Sequence, residues 1–469
     1  MEKVRALHSR YNPTGEAERF LESLNLNDSI KIFILMEPGM GYLVPCIRKK
    51  NPAARIIALY AERMPGSTPK ENLPDVSWSP QMKKPLRLFL EDEIPDIEAK
   101  AVKLIEWRPS LAVYGESYRY LLSETVEFIK QVDASARTQN QFGKRWFKNF
   151  FRNLNLLSEI AYPHSFAFPV LVTAAGPSLE ETIPLIQKDR DKLFLLAVSS
   201  SYAALNNAGL KPDMIISTDG GAWSLLHLYE CVRDNYGAKT FAVNLTAALP
   251  SQCKNSSMLI LCDGTFWQTY ILQKLNIPFI ILPQRGTVSA SALDLAFALT
   301  SGNVYISGVD LSHRDIQGHA RPYSFDRLWH EKACRINPSY SQVFARSGLI
   351  KSGGSHNIYA SWFSRQLADY PRRLFSLGAN SRVFKDFETP FPGLNKGKTS
   401  RPVLKTISFQ ANGNPVAKNP AMMAALLLKT ALEETQTGKQ LYSELCPLLF
   451  PGQTPSAKEL GEAIITWIK

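Results

Sequence analysis

Residues 168–220 read FPVLVTAAGPSLEETIPLIQKDRDKLFLLAVSSSYAALNNAGLKPDMIISTDG, and the order of residue types in this stretch decides the fold. An apolar run, Val170 to Thr173, stops at Ala174, Ala175 and Gly176, turns at Pro177-Ser178 and enters a helical pattern at once. A helix start leaves its first N–H groups without internal partners and carries partial positive charge, so it suits a phosphate. Gly176 and the two alanines let a ligand approach the backbone, and Ser178 is placed to cap the helix. A single turn of this kind also serves packing alone, but its continuation separates the two readings. A second run, Leu193 to Val198, ends at Ser199, Ser200 and Ser201. A short helix then closes at Gly209, and a third run, Met214 to Ser217, ends at Asp219. Strand, helix, strand, helix, strand with polar residues at each strand's carboxyl end predicts an open, mostly parallel sheet with a ligand across those ends.

Further along, Thr240 to Val243, Met258 to Leu261, Phe279 to Leu282 and Val304 to Ser307 continue the strand pattern, and one large α/β sheet is expected. Asn244 closes the first of these. Pro283-Gln284-Arg285-Gly286-Thr287-Val288-Ser289 follows the third and opens a helix at Ala290, where Arg285 could neutralise phosphate charge. Gly308-Val309-Asp310-Leu311-Ser312-His313 follows the fourth, and Gln317-Gly318-His319-Ala320 comes soon after.

The blocks GPSLEETIPLI, NNAGLKPDMIISTD and GTVSASALDLAFALTSGNVYISGVDL, in that order, resemble the central domain of the motility-associated-factor proteins, which glycosylate flagellin. That domain is related to a 6-hydroxymethylpterin diphosphokinase. The resemblance covers residues 161–378, and where the family usually carries glycine two positions before the Gly of GPSL this chain has Ala174. It implies a glycosyltransferase that moves a nonulosonic, sialic-acid-like sugar from a cytidine-monophosphate (CMP)-linked donor to Ser or Thr of flagellin. The departing phosphate would then be received by N–H dipoles of the Gly176 turn and by Arg285. A hydroxyl acceptor gains from a general base, for which His319 is the first candidate and His313 the second. Asp310 joins them as a candidate catalytic group. The donor-binding set is Ala175, Gly176, Pro177, Ser178, Ser199, Ser200, Asp219, Asn244, Arg285, Gly286, Thr287, Ser289 and Gly308.

Asp219 and Asp310 fit ribose or sugar hydroxyls, a divalent metal, or simple turn caps, and the sequence leaves metal use open. Two other functions stay in play. One is an ATP- and Mg²⁺-using 6-hydroxymethylpterin diphosphokinase. The other is a non-catalytic flagellar chaperone or scaffold, which Ala174 would favour.

Outside this region, Ile30 to Leu35 runs into Glu37-Pro38-Gly39-Met40-Gly41-Tyr42, and a second strand, Arg55 to Leu59, ends near Glu62. The pattern imitates a dinucleotide or S-adenosylmethionine fold with an incomplete glycine signature, so a smaller, degenerate Rossmann-like N-terminal domain is expected. Residues 65–85 read as a loop. In QFGKRWFKNFFRNLNLL, Phe142, Trp146, Phe150 and Leu154 recur every four residues. This predicts a linker helix packing an aromatic stripe inward, against the alternative of a membrane-surface or RNA-binding helix. Residues 324–354 suit an acceptor-binding lid, residues 390–405 a linker, and the C-terminal residues a small helical domain. The expected organisation is therefore 1–140, 141–385 and 386–469.

At 469 residues the chain has room for about three domains. No apolar run approaches the ~20 residues a membrane span needs, and the N-terminus lacks a signal-peptide pattern, so the chain reads as cytoplasmic. The 6 cysteines are scattered without metal spacing and are expected to be reduced and mostly buried. A formal charge of +12 favours an anionic partner such as a sugar nucleotide, an acidic protein or nucleic acid without choosing among them; the resemblance implies a nucleotide-sugar donor and flagellin as acceptor, and no nucleic acid.

Overall fold

In a computed structural model, the structure describes residues 7–26, 30–94, 101–233, 240–314, 317–339, 341, 359, 363, 373–377, 401–409 and 419–468. Residues 340 and 342–354 of the expected lid and the linker segment 390–400 lie outside these residues. The chain divides into two compact units, Met1–Gln141 and Phe142–Lys469.

The first unit is built on four strands, β1 (Ile32–Met36), β2 (Arg55–Leu59), β3 (Val76–Trp78) and β4 (Val102–Glu106), all parallel in the order β3-β2-β1-β4. β1 is buried at every position, as a parallel strand covered on both faces must be. The stretch expected to be only a loop contains β3. Its Val76 and Trp78 alternate toward the core, too short a pattern to stand out among Pro, Ser and Asn.

The glycine turn after β1 adopts positive φ at Gly39 and Gly41, as its tight reversal demands. Its Met40 amide donates to Nε2 of His8 at 3.0 Å, and the imidazole packs between Tyr42 and Trp107. A Cβ on Gly39 would run into that ring. Burial lowers the His8 pKa, which keeps the ring a neutral acceptor. The amide that would face a phosphate in a working dinucleotide site is thus used within the chain.

Glu37, at positive φ between β1 and this turn, is fully buried. One carboxyl oxygen accepts from the Ala61 amide, and the Glu37 carbonyl accepts from the Ser110 hydroxyl. Burial outweighs the hydrogen bonds that the Ala61 amide and the Tyr114 side chain give the carboxyl and raises its pKa from 4.5 to about 7. A carboxyl whose pKa is raised by folding stabilises the folded state below its unfolded pKa and loses that contribution as pH climbs through the folded value. The first unit should therefore lose stability between pH 4.5 and about 7. Glu37→Gln should flatten that slope, as urea unfolding across the range would read.

Among the described residues, the second unit carries ten strands: β5 (Glu159–Ala161), β6 (Val170–Thr173), β7 (Phe194–Val198), β8 (Met214–Ser217), β9 (Thr240–Asn244), β10 (Ser257–Cys262), β11 (Phe279–Ile281), β12 (Val304–Ser307), β13 (Leu374–Ser376) and β14 (Thr406–Ser408). Their order is β13-β12-β6-β7-β8-β9-β10-β5-β14, with β11 beside the second half of β10. Every pairing is parallel except β14 on β5. The chain runs outward from β6 through β10 and then returns to lay β12 on the other side of β6. The strand order therefore reverses between β6 and β12, where open parallel sheets place their ligands.

Alternation fixes the two faces. Val170, Val172, Leu196 and Leu259 meet the helix Val288–Leu299, whereas Leu171 and Leu195 meet Leu179 and Ile186 of the helix after β6. Phe241, Val243, Met258 and Ile260 share one core with Phe147, Phe150, Phe151 and Leu154 and with the C-terminal helices Pro420–Leu432, Thr437–Leu449 and Ala457–Ile468. The aromatic stripe thus packs inward, rotated by one residue at Phe147 and Phe151, while Phe142 and Trp146 stack half-buried. Both carboxyl oxygens of Glu444 accept amides at the start of the helix Phe266–Lys274, at 3.0 and 2.9 Å, which ties the C-terminal helices to the sheet. Cys46, Cys231, Cys253, Cys262 and Cys446 are buried free thiols, and Cys334 is exposed.

Candidate functional site

The polar residues picked from the sequence do meet along one edge of the second sheet, at the carboxyl ends of β6 to β12. Their hydrogen bonds differ from expectation at the most important point. Asp310, only 4% exposed, turns its carboxylate onto the helix start after β6, where Oδ2 accepts the Ser178 amide at 2.7 Å and Oδ1 accepts the Ser178 hydroxyl. Ser178 therefore does not cap its own helix, because its side chain points to Asp310 instead. Three further amides of the turn are engaged within the chain: Ala174 donates to the Ser307 carbonyl, Gly176 to that of Gly308 and Leu179 to that of Gly176. At the helix start predicted to receive a phosphate, the structure places a carboxylate of the chain itself.

Close approach explains the glycines here. A Cβ on Gly176 would lie 2.6 Å from Asp310 Oδ2 and 2.6 Å from the Gly308 carbonyl oxygen. Gly308 sits at positive φ with the Ala174 carbonyl against it. Ala174 and Gly308 thus pack the two loops together, so the alanine methyl belongs to a buried interior contact. Burial pushes the Asp310 carboxyl above its usual range, while the two Ser178 bonds pull it back.

The histidine loop is held by the same helix. Glu180 accepts from Gln317 and from the Arg321 amide, both at 2.6 Å, and Glu181 pairs with Arg314 at 2.5 Å. His319 stacks flat on Tyr323, with centroids 3.9 Å apart and planes 8° apart. His313 lies against Gly318, whose added Cβ would be 2.9 Å from the imidazole Nε2. Tyr323 and Phe325 also cover His227, half-buried on the helix Leu225–Arg233, whose pKa desolvation lowers to about 4.

Toward the other strands, Ser199 and Ser201 are buried, and Ser201 donates to the Val198 carbonyl at 2.8 Å. Ser200 is half-buried at the same turn. Asp219 is exposed and accepts the Gly221 amide at 2.7 Å, which is a turn cap. Asn244 likewise accepts from the Thr246 amide and hydroxyl. Arg285 is paired with Asp294 at 2.6 Å, so its charge is already matched within the chain. Thr287 caps the helix beyond, receiving the amides of Ser289 and Ala290. Pro177 and Ala175 lie within the packed turn, and Gly286, at positive φ, has the Tyr359 ring about 3.5 Å from where its Cβ would be.

Several positioning residues had no motif to announce them. Asn153 donates to the Leu245 and Ala247 carbonyls, Asn149 to those of Gly220 and Thr246, and Arg152 to that of Leu249. Together they pin the loops after β8 and β9 from one helix. Trp146 stands over Gly220, where no side chain would fit. The spacing of Asn149 and Asn153 on one helical face was the available signal. Tyr359 is placed near Asp219, and burial followed by that charge raises its pKa. Among the described residues, no group of three His, Cys, Asp or Glu is arranged to hold a metal ion.

Residues 144–315 match the family described as 6-hydroxymethylpterin diphosphokinase MptE-like, which falls on the sheet whose edge is described above and overlaps the resemblance read from the sequence. Two uncharacterized proteins of Treponema pallidum (strain Nichols) are similar to this chain, each 29% identical, over 288 and 116 residues, or 60% and 24% of it. The chain spans 61% and 55% of their lengths. Among solved structures, the MAf glycosyltransferase from Magnetospirillum magneticum AMB-1 aligns over 97% of this chain and 77% of its own, with 12% identity and a TM-score of 0.41, too distant to carry a conclusion. Among the described residues, no helix is long and apolar enough to cross a membrane.

Gly176→Ala should cost about 1–3 kcal/mol, because its methyl must push apart a buried carboxylate and a backbone carbonyl. An unchanged urea midpoint would mean that the loops after β6 and β12 do not approach this closely.

Proposed function

We propose that the second unit is a nucleotide-dependent transferase, and that it moves a nonulosonic sugar from a CMP-linked donor to hydroxyls of flagellin. The observation that carries this reading is the gathering of the strand ends of an MptE-like segment, with their hydroxyls, amides and carboxylates, on one edge. The sugar and the acceptor follow from the motif resemblance.

The reaction breaks the bond between the anomeric carbon and the CMP phosphate oxygen and forms one from that carbon to a Ser or Thr oxygen. The hydroxyl proton passes to a base, and CMP leaves as the anion. In this reading Asp310 holds the helix start closed, so the phosphate lies beside it at the ends of β7 to β9. Ser199, Ser200 and Asn244 supply polar contacts there, and Asp219 takes sugar or ribose hydroxyls. Gly286, Thr287 and Ser289 border the same edge. His319 is the proposed base, and stacking on Tyr323 fixes its plane. His313 is the second candidate base, and Asp310, bonded to Ser178, acts by holding the loops after β6 and β12 together. Arg285 receives phosphate charge only if it exchanges its Asp294 partner.

The second reading, an ATP- and Mg²⁺-using pterin diphosphokinase, has the name of the matched family in its favour. The three motif blocks that resemble the flagellin-glycosylating family favour glycosyl transfer over it. A cytoplasmic location belongs with the flagellin reading.

Thermal unfolding with CMP, and separately with ATP and Mg²⁺, should show stabilisation by CMP, because a ligand that binds only the folded state raises the midpoint. A shift with ATP and Mg²⁺ alone would select the kinase, and no shift with either would select a scaffold. His319→Ala should lower transfer by about 10²–10⁴-fold if the ring is the base, with CMP affinity retained. Intact mass of flagellin from cells with and without the gene reads the acceptor, and an unchanged mass would remove flagellin.

A further inference from the structure

The first unit contains a polar cluster that none of the chemistry above uses. Glu37, Tyr60 and Tyr118 are respectively 0%, 1% and 1% exposed, and Glu37 Oε1 and the hydroxyls of Tyr60 and Tyr118 have no hydrogen-bond partner. Such groups are rare because each forfeits its hydration on burial, and each calls for a cause. These three are not scattered. Glu37 follows β1, Tyr60 follows β2, and Tyr118 lies on the helix that follows β4, so all belong to the carboxyl edge of one parallel sheet. That edge is where such folds receive ligands.

We infer that this edge is a binding site for a small organic cation bearing a primary ammonium group, held by Glu37 Oε1 and the hydroxyls of Tyr60 and Tyr118. An ammonium offers three N–H donors, and the cluster offers three acceptors. The charged groups acting on these three side chains are all acidic: Glu62 on Glu37, Glu37 on Tyr60, and Glu106 and Glu37 on Tyr118. An anion would find no countercharge here, and the neighbouring glycine turn has given its Met40 amide to His8. The tyrosine rings add faces that attract a cation.

Access has a structural counterpart. The helix carrying Tyr118 is broken at Gly115 (φ 53, ψ −113), and no neighbour lies within 4 Å of the place its Cβ would take. Tyr114, beside the break, acts on the same Glu37 carboxyl. A rotation about Gly115 would move Tyr114 without disturbing the strands.

The test uses the full chain with methylammonium, ethanolammonium and putrescine as probes, and potassium acetate at matched ionic strength as the control. At least one ammonium probe should bind saturably by calorimetry and raise the melting temperature, and acetate should not. Glu37→Gln, Tyr60→Phe and Tyr118→Phe should each weaken that binding tenfold or more, while Tyr120→Phe, at an exposed position, should leave it unchanged. The two Tyr→Phe variants remove only an unbonded buried hydroxyl, so they should fold as well as the parent or better. The site is overturned if no ammonium probe binds, or if binding survives equally in the folded Tyr60→Phe and Tyr118→Phe variants.

Discussion

The contact between Asp310 and Ser178 organises the second unit. It joins the loop after β12 to the helix after β6, at the place where the strand order reverses, and it buries a carboxylate to do so. A buried charge persists only where donors compensate it, and an amide, a hydroxyl and the positive end of a helix supply that compensation. The glycines at 176 and 308 follow, because the two loops could not close on each other with side chains there. So does the seating of the histidine loop, which Glu180 and Glu181 hold from the first turn of the same helix.

The chain thus answers its own helix start with its own anion. A nucleotide phosphate has two ways to use such an edge: displace the carboxylate, or lie beside it. Displacement would strip two bonds from a group that burial already penalises, so the neighbouring strand ends are the cheaper place. The first unit uses the same device with a different group, since His8 takes the amide of its glycine turn. Both glycine turns therefore engage groups of the chain itself.

Much of this was legible in the residues. Runs such as Val170–Thr173 and Met214–Ser217 are buried at every position and apolar up to a closing hydroxyl residue, because both faces of a parallel sheet are covered, and such runs mark their own boundaries. β3, β13 and β14 were not legible, being three-residue strands at or near sheet edges whose pairing comes from their neighbours. At the site, sequence order brought Gly176, Ser199, Asp219, Asn244 and Asp310 to one edge, but it could not show which of them bond each other. Asp310 and Ser178 are 132 residues apart, and only the folded register of β12 on β6 makes them partners. Asn153, which holds two carbonyls of the loop after β9, lacked any motif for the same reason.

The central claim is that a nucleotide binds along the edge formed by the carboxyl ends of β6 to β9, with Asp310 kept on Ser178. A crystal structure of the chain soaked with CMP tests it most directly. The phosphate is expected within hydrogen-bonding distance of the Ser199–Ser200 turn or the loops after β8 and β9, with the Asp310 carboxylate still on the Ser178 amide. CMP on another surface, or a phosphate seated on Ser178 with Asp310 swung away, would contradict it.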